Sequence, residues 1–577
     1  MLLAKIFKYN KILFFLRIFV AIINSVSTIL TILMPMYLLE AILEGDFNQV
    51  LIVVAIFSAL YFTIHFIGVF YSAYEKIATE KMNLAVVNEF LDKAKDLDLS
   101  YFDDTTSFDK YNRAFGNCCA VIGTLNSAVS NFVTSVFNIV MIVGLLVWMD
   151  LYMFIAIFFV ILINVLINKK MKKIDYERSV LLSEKSKQVN YLYRLFYIPQ
   201  LIREIKINTL SDYVFKVKNG FDKDILALNK KQALIKTPFN ALLGSLNILE
   251  KSLVALYFGF AVVIQRIVIS EYFTYVNAYN QLKNTIAGLS SIYTQLYGNS
   301  LFASDYIEFI NSKENITSNV DGKELEDVFT IEFVGVSFKY PNNNKLTLNK
   351  VSFKITKGDK IAIIGKNGAG KTTIIKLLLR LYDPSSGDIL INGVNIKEYN
   401  TKSLRGTIQT LFQDFAIFAF SIRDNIVLGK DIPQRDVLDA LKKIGLKEKI
   451  EHLPLSTDTP ITSQLYPGGV ELSGGESQKL SISRIYASKP KTFIMDEPTS
   501  SLDPHSEYAL YNDLMDDTQQ SSTIIVISHR LTLTYKMSKI IVIDSGAIAE
   551  QGTHNELIKL KGIYFDMYSI QAAKYTS

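Results

Sequence analysis

Apolar residues are distributed along this chain in two regimes. Up to about residue 300 they form long runs of Ile, Leu, Val and Phe, and beyond that they fall into the shorter rhythm of an α/β domain. A membrane-crossing helix needs about 20 mostly apolar residues. Six stretches qualify, at about 12–39, 50–71, 125–149, 151–167, 239–267 and 272–296. The links between them are very uneven. Residues 40–49 carry Glu40, Glu44 and Asp46 but no base, and a tight turn at Asp150 joins the third and fourth stretches beside Trp148, the single tryptophan. Two long polar stretches, about 74–123 and from the fourth span to about 237, are rich in lysine. Lys5, Lys8 and Lys11 precede the first span and Arg17 lies near its start, and Lys169, Lys170, Lys172, Lys173 and Arg178 follow the fourth. Because cytosolic flanks collect Lys and Arg, the N-terminus and both long stretches are expected in the cytosol. The pattern predicts a multidomain membrane protein: an all-α six-helix transmembrane domain over 1–310, a polar linker over 311–328, and an α/β domain over 329–577.

Polar residues inside spans are costly in lipid, so each invites a functional reading. Asn277, Asn280, Gln281 and Asn284 recur at i, i+3, i+4 and i+7 and share one helical face. Asn247, Glu250 and Lys251 interrupt the fifth span. Together Asn247, Glu250, Asn277, Asn280 and Asn284 form a candidate substrate cavity, against the alternative of interhelical hydrogen bonds and an internal Glu–Lys pair that serve assembly. His65, in the second span, reads as a packed histidine.

Charge narrows the classes. The 61 basic and 55 acidic residues nearly balance, leaving +6, too weak an excess to argue for nucleic acid and better explained by lysines flanking spans. The two cysteines, Cys118 and Cys119, are adjacent and lack metal-ligand spacing, so they read as packing residues. No cleavable signal peptide is evident and no peptidase segment precedes the first span, so the chain is not expected to cleave a leader peptide. Usage rich in Lys, Ile, Asn and Tyr suggests a low-GC bacterium.

The chemistry centres on Gly365-Lys366-Asn367-Gly368-Ala369-Gly370-Lys371-Thr372-Thr373. It follows the apolar run 360–364 and opens a helical run, the context that makes this spacing a phosphate-binding loop. Glycines let backbone amides wrap a phosphate at a helix N-terminus. Lys371 brings a cation to the β/γ-phosphates and the Thr372 hydroxyl is a magnesium ligand. Thr492-Phe493-Ile494-Met495-Asp496-Glu497 is an apolar strand ending in two carboxylates, with Asp496 suited to hold magnesium and Glu497 to orient or deprotonate an attacking water.

From residue 330 onward the motifs closely resemble those of ATP-binding cassette (ABC) transporters of the exporter type, and the resemblance extends over essentially the whole chain. It implies an ABC ATPase domain of phosphate-loop type after the membrane domain, with ATP and Mg2+ as cofactors. The ATP-binding residues it implies are Tyr340 (stacking on adenine), Gly365, Asn367, Gly368, Gly370, Lys371, Thr372 and Thr373. Leu472-Ser473-Gly474-Gly475-Glu476 matches the signature motif, which serves a γ-phosphate held by the other subunit, except that Glu476 stands where the family usually has Gln. Gln413 matches the glutamine that reaches magnesium and the attacking water, with Gln409 a competitor in the same segment. Asp503 matches the loop crossing to the partner, and His529 the histidine at the γ-phosphate. Residues 462–469 depart from the family's usual acidic pattern, and 97–113 and 196–213 resemble its coupling loops more loosely. One phosphate loop and one signature per chain imply a dimer, a homodimer given an intact Glu497, with a heterodimer as the alternative. The expected activity is ATP-driven export of a peptide, lipid or amphiphilic small molecule across a bacterial cytoplasmic membrane. A lipid flippase and a membrane-tethered regulatory ATPase are the other readings.

Overall fold

A computed structural model describes every residue except 1–6, 8–9, 150–177, 179–180, 183–184, 313–315, 317–321, 342, 464, 498–511, 514–521, 529–530 and 577. The chain divides into two compact units. One comprises Met1–Ala94 and Asp109–Ser312, and the other Lys95–Phe108 and Lys313–Ser577.

The first unit is built on helices, most of them long: α1 (Lys11–Leu43), α2 (Phe47–Asp96), α4 (Thr105–Met149), α5 (Pro199–Ile207), α6 (Ser211–Val263) and α7 (Ile269–Ile310); the short α3 (Leu99–Asp103), between α2 and α4 in sequence, belongs to the second unit. At 1.5 Å per residue, the 50 residues of α2 and 53 of α6 run about 75–80 Å, more than twice the hydrocarbon thickness of a bilayer. Residues 74–96, 105–123 and 211–237 of the lysine-rich stretches are therefore parts of these same long helices, and not loops between them. Among the described residues four helices are long and apolar enough to cross a membrane: α1, α2, α4 and α6. The fourth predicted span, 151–167, lies outside the described residues. The sixth lies on α7, whose amides keep it below that apolarity.

The apolar side chains of α2 point largely outward; Phe62, Phe66 and Phe70 are exposed, as a lipid-facing surface requires. His65 shares that exposed surface instead of packing inside, because its position on α2 falls on the outer face. The interior of the unit gathers Ile32 of α1, Ile142 of α4, Val254 and Phe258 of α6, and Tyr275, Ala278, Tyr279 and Leu282 of α7. Phe258 stacks on Tyr275 with ring centres 4.7 Å apart. Where α2, α4 and α7 leave the apolar zone they are tied by Phe90 stacked on Phe309 at 4.1 Å and by an Arg113–Asp305 ion pair at 2.8 Å. Cys118 is buried and Cys119 half-buried, both free thiols.

The second unit holds two sheets. Strands β1 (Thr330–Phe338), β2 (Leu348–Thr356), β3 (Lys360–Gly365), β4 (Ser386–Ile391), β5 (Val394–Asn395), β6 (Ile408–Leu411), β7 (Thr492–Asp496), β8 (Thr523–Ile527), β9 (Lys539–Asp544) and β10 (Ala547–Gly552) alternate with helices, among them α8 (Lys371–Leu378), α9 (Thr401–Thr407), α10 (Ile422–Val427), α11 (Gln434–Lys443), α12 (Lys447–Glu451) and α13 (Gly474–Ser488). A four-stranded antiparallel sheet has the order β2-β1-β4-β5, and a six-stranded sheet the order β10-β9-β3-β8-β7-β6. In the latter, β3 lies parallel to both β8 and β9, β7 to β8 and β6, and only the edge strand β10 runs antiparallel. The central strands read as unbroken apolar runs because they are buried on both faces. Ala362 and Ile364 of β3 enter one core with Ile524 and Val526 of β8, while Ile361 and Ile363 enter the other with Ile525 and Ile527. The segment 311–328, polar enough to read as linker, is partly folded. Leu325 and Val328 are buried in the second core, and the Leu325 amide donates to the Ser403 hydroxyl at 2.8 Å. A few scattered apolar residues in a polar stretch carry no periodicity, so only the packing reveals their role.

Candidate functional site

The phosphate-binding loop joins β3 to α8 (Lys371–Leu378) at the carboxyl edge of the parallel strands, where open α/β sheets bind ligands. Glycine is required at two of its positions. Gly365 has φ 156°, and a Cβ there would lie 2.1 Å from the Ile543 carbonyl oxygen; Gly370 has φ 103°, and a Cβ would meet Leu348 at 2.6 Å. The loop is thus clasped between β9 and the start of β2, with Asn367 and Gly368 at its open tip, Gly368 at φ 78°.

Lys371 is 6% exposed and donates from Nζ to the Gly365 and Lys366 carbonyls at 2.9 and 3.1 Å. Burial pushes its pKa down, and the carboxylates of Glu497 and Asp496 work against that. Its ammonium therefore lies in the hollow of the loop, facing the acids across it.

Thr372 is the next residue of α8, and its hydroxyl donates to Asp496 Oδ2 at 2.8 Å. Asp496 ends β7 and is 1% exposed, and its Oδ1 is buried with no hydrogen-bond partner among the described residues. Burial is the main cause that raises its pKa. A buried carboxylate oxygen left bare beside a hydroxyl has the chemistry of a hard-cation site, so the residues fit magnesium. No group of three or more His, Cys, Asp or Glu side chains gathers for a metal among the described residues. A cation here would thus rely on Thr372, Asp496 and oxygens from phosphate.

Glu497 follows directly. Its φ is 47°, a left-handed conformation that is strained for a non-glycine residue. The strain is held by the hydrogen bond from its amide to the Ile527 carbonyl at 3.0 Å, which turns the chain sharply at the end of β7. Tyr340 lies on the other side of α8, its hydroxyl 3.2 Å from that of Thr373. The Tyr382 ring meets its ring edge-on at 5.3 Å, and Lys376 Nζ lies 5.6 Å above it. A half-buried tyrosine braced in this way presents a fixed aromatic face.

Gln413 occupies the exposed turn after β6. Gln409 is inside β6 and accepts from Lys430 Nζ at 2.6 Å, which commits it elsewhere. The segment after Gln413 is braced by two buried residues that are not among the expected site residues. Asn425 exchanges two hydrogen bonds with the Phe418 backbone at 2.8 and 2.9 Å, and Arg484 donates to the carbonyls of Asn425 and Ala416 at 2.9 and 2.8 Å.

Ser473 is the N-cap of α13 (Gly474–Ser488), and Glu476 completes a capping box: Ser473 N donates to Glu476 Oε2 at 2.9 Å and Glu476 N to Ser473 Oγ at 3.3 Å. The first-turn amides of Gly474 and Gly475 have no carbonyl in their own helix to bond. Lys449, on the short helix α12 (Lys447–Glu451), donates to the other Glu476 oxygen at 2.5 Å. The lysine, with the Ser473 amide, holds the Glu476 carboxyl below its usual range. The atypical stretch after Thr462 is a closed loop in which Thr462 N bonds the Val470 carbonyl at 3.0 Å and Ser463 N bonds Glu471 at 3.0 Å, leaving Leu465 and Tyr466 exposed. Asp503 and His529 lie outside the described residues.

The same unit includes residues 97–108 of the first predicted coupling segment, 97–113. Leu99 of α3 packs on the second core, and the Tyr382 hydroxyl donates to Asp103. Tyr382 thus touches both that segment and Tyr340; a lone tyrosine in sequence gave no sign of it.

In the helical unit, Glu250 is 6% exposed and accepts from the Tyr279 hydroxyl and from Lys283, both on α7. Its partner is Lys283, not Lys251 beside it in sequence, because adjacent helical residues do not face each other. Asn247, one turn away, has a buried Oδ1 without a partner among the described residues. Asn277 and Asn280 are half-buried and Asn284 exposed, on the side of α7 away from Ala278, Tyr279 and Leu282. The five polar residues therefore do not form one cluster: Glu250 joins the interior, and the three α7 asparagines face away from it.

Comparison with known proteins gives a consistent picture. The ABC transporter family model matches residues 348–500 and the ABC transporter transmembrane region model residues 14–190, together more than half of the chain. YgaD of Bacillus subtilis (strain 168), provisionally named a multidrug export ATP-binding/permease protein, is 29% identical over 408 residues, covering 70% of this chain and 68% of its own. The subtilin transport ATP-binding protein SpaT of Bacillus subtilis is 31% identical over 378 residues, 63% of this chain and 60% of its own. A Staphylococcus aureus (strain NCTC 8325 / PS 47) protein with the same provisional name as YgaD is 38% identical over 266 residues, 46% of this chain and 45% of its own. The matched stretches thus span from under half to about two thirds of these relatives. A solved bacterial Atm1-family ABC exporter with ATP bound superposes with a TM-score of 0.72 over 98% of this chain and 99% of that one, at 22% identity. That likeness establishes a shared fold.

Proposed function

The chain belongs to the ABC transporter family, with the fused membrane and ATPase domains of an exporter-type half-transporter, and we propose that it hydrolyses ATP to export an amphiphilic substrate. The observation that carries the ATPase reading is the Thr372–Asp496 pair, with its bare carboxylate oxygen, directly followed by the strained Glu497. ATP would lie with its adenine on Tyr340 and its phosphates in the loop 365–373. Lys371 would leave its carbonyl partners for the β/γ-phosphates. Magnesium, held by Thr372, Asp496 and Gln413, would offset the charge on the phosphate oxygens.

Glu497 takes a proton from a water whose oxygen attacks the γ-phosphorus, the bond to the bridging oxygen breaks, and ADP and phosphate are released. The site around the γ-phosphate would be completed from a second copy of the chain, through the hydroxyl of Ser473 and the amides of Gly474 and Gly475, with His529 serving the γ-phosphate and Asp503 the loop that crosses to the partner. Closure of the two ATPase units is passed to the helices through residues 95–108, by way of Asp103 and Tyr382. The chain would work as a homodimer in a bacterial cytoplasmic membrane, with its N-terminus and ATPase unit cytosolic.

The names of the relatives, multidrug export and subtilin transport, support a drug-like molecule or a peptide as cargo. The deciding experiment is ATP-dependent uptake into inverted vesicles carrying the wild-type chain or Glu497→Gln. The wild type is expected to accumulate substrate. The variant should bind ATP yet hydrolyse it about 10²–10⁴-fold more slowly, the usual contribution of a positioned general base. Hydrolysis without uptake of any peptide or drug would instead favour a regulatory ATPase, and translocation of labelled lipid alone a flippase.

A further inference from the structure

The family's usual glutamine is replaced at residue 476 by a carboxylate, on the first turn of the helix that should receive a partner's γ-phosphate. An uncompensated negative charge there would oppose a triphosphate. The structure shows how the charge is engaged. Glu476 Oε2 accepts from the Ser473 amide at 2.9 Å, and Oε1 from Lys449 Nζ at 2.5 Å. Both oxygens are bonded, and the side chain of Glu476 is only 24% exposed, while that of Lys449 is 45% exposed. The capping box uses the Ser473 hydroxyl oxygen as acceptor and leaves its hydrogen to donate.

We propose that Lys449 is a positioning residue of the ATP site: it neutralises Glu476 and so keeps the N-terminus of α13 receptive to the γ-phosphate carried by the partner chain. The inference rests on the dimeric ATPase reading and adds a residue to it. Lys449 lies 24 positions before Ser473 on a five-residue helix and belongs to none of the motifs. Its role follows only from the substitution at 476. A lysine here has no such task in a chain with glutamine at that position.

The test is a double-mutant cycle on the full chain in proteoliposomes, reading ATP hydrolysis against ATP concentration. Lys449→Ala should raise KM for ATP about three- to fivefold, the size of effect that one exposed charge pair can exert, and leave kcat close to wild type. The defect should shrink as salt is raised, because screening weakens the repulsion from the half-buried carboxylate. In a Glu476→Gln background the same Lys449→Ala change should have no effect on KM. An unchanged KM in the single variant overturns the proposal. So does an equal loss in both backgrounds, which would assign Lys449 to stability, and calorimetry of each variant reports that directly. Lys371→Ala is the reference: if wild type and Lys371→Ala hydrolyse ATP equally, the ATPase reading itself fails, whatever Lys449 does.

Discussion

At the scale of single residues, the most informative is Asp496, because it combines a bonded oxygen with a bare one in a buried place. Leaving a buried polar atom without a partner costs about 1–3 kcal/mol, and a charge makes the cost larger. The ligand-free protein is thus destabilised at the point where a cation would relieve it. Burial raises the Asp496 pKa above that of the unfolded chain, so the folded state holds the proton more tightly. The corresponding stability is fully present below the unfolded pKa and is lost as pH rises through the raised, folded value. Asp496→Asn keeps an acceptor for Thr372 and removes the titration. The variant should raise the ligand-free melting transition of the ATPase unit at neutral pH by about 2–4 °C, corresponding to about 1 kcal/mol. It should also flatten the transition's pH dependence over that window and abolish the added stability given by magnesium and ATP together. Scanning calorimetry with and without both ligands checks all three; a lower ligand-free transition would contradict the account.

At the scale of elements, α7 has two faces of different chemistry. Thr274, Tyr275, Ala278, Tyr279 and Leu282 are buried. Asn277, Asn280 and Asn284 lie on the far side, half-buried or exposed. Amides turned to hydrocarbon would leave donors and acceptors unsatisfied, so that face requires water, substrate or a second copy. Replacing the three asparagines with alanine is expected to abolish vesicle uptake while basal ATP hydrolysis persists, and unchanged uptake would remove them from the pathway. Their common face was legible in the sequence because i, i+3, i+4, i+7 spacing survives any packing. So was the phosphate loop, whose glycines answer to local backbone geometry at Gly365 and Gly370. What could not be read were pairings that join distant residues. Glu250 met Lys283 through helix packing, Glu476 met Lys449 across a loop, and Tyr382 met Asp103 over 279 positions. Nor did the polar run around Leu325 reveal that it enters the core. Local constraints leave a pattern in neighbouring letters, whereas tertiary ones leave single residues that look ordinary.

At the scale of the whole molecule, the question is whether one chain's phosphate loop is completed by another chain's signature. A two-fold dimer has two equivalent sites, each taking Lys371 from one copy and Ser473 from the other. This predicts an outcome that a site within one chain does not. Combine a Lys371→Ala chain with a Ser473→Ala chain, distinguished by affinity tags, and isolate the mixed dimer. Of its two sites, one carries both lesions and the other carries neither. The mixed dimer should therefore retain tight ATP binding at one site of two, although each parent homodimer is impaired at both. Placing both substitutions on one chain and pairing it with wild type reverses the result, because each site then carries one lesion. If the two sites also depend on each other for hydrolysis, turnover in the first mixed dimer falls below half of wild type while bound ATP stays at half, so measuring both separates assembly from cooperation. Loss of all tight binding in the first mixed dimer would mean that the site closes within a single chain.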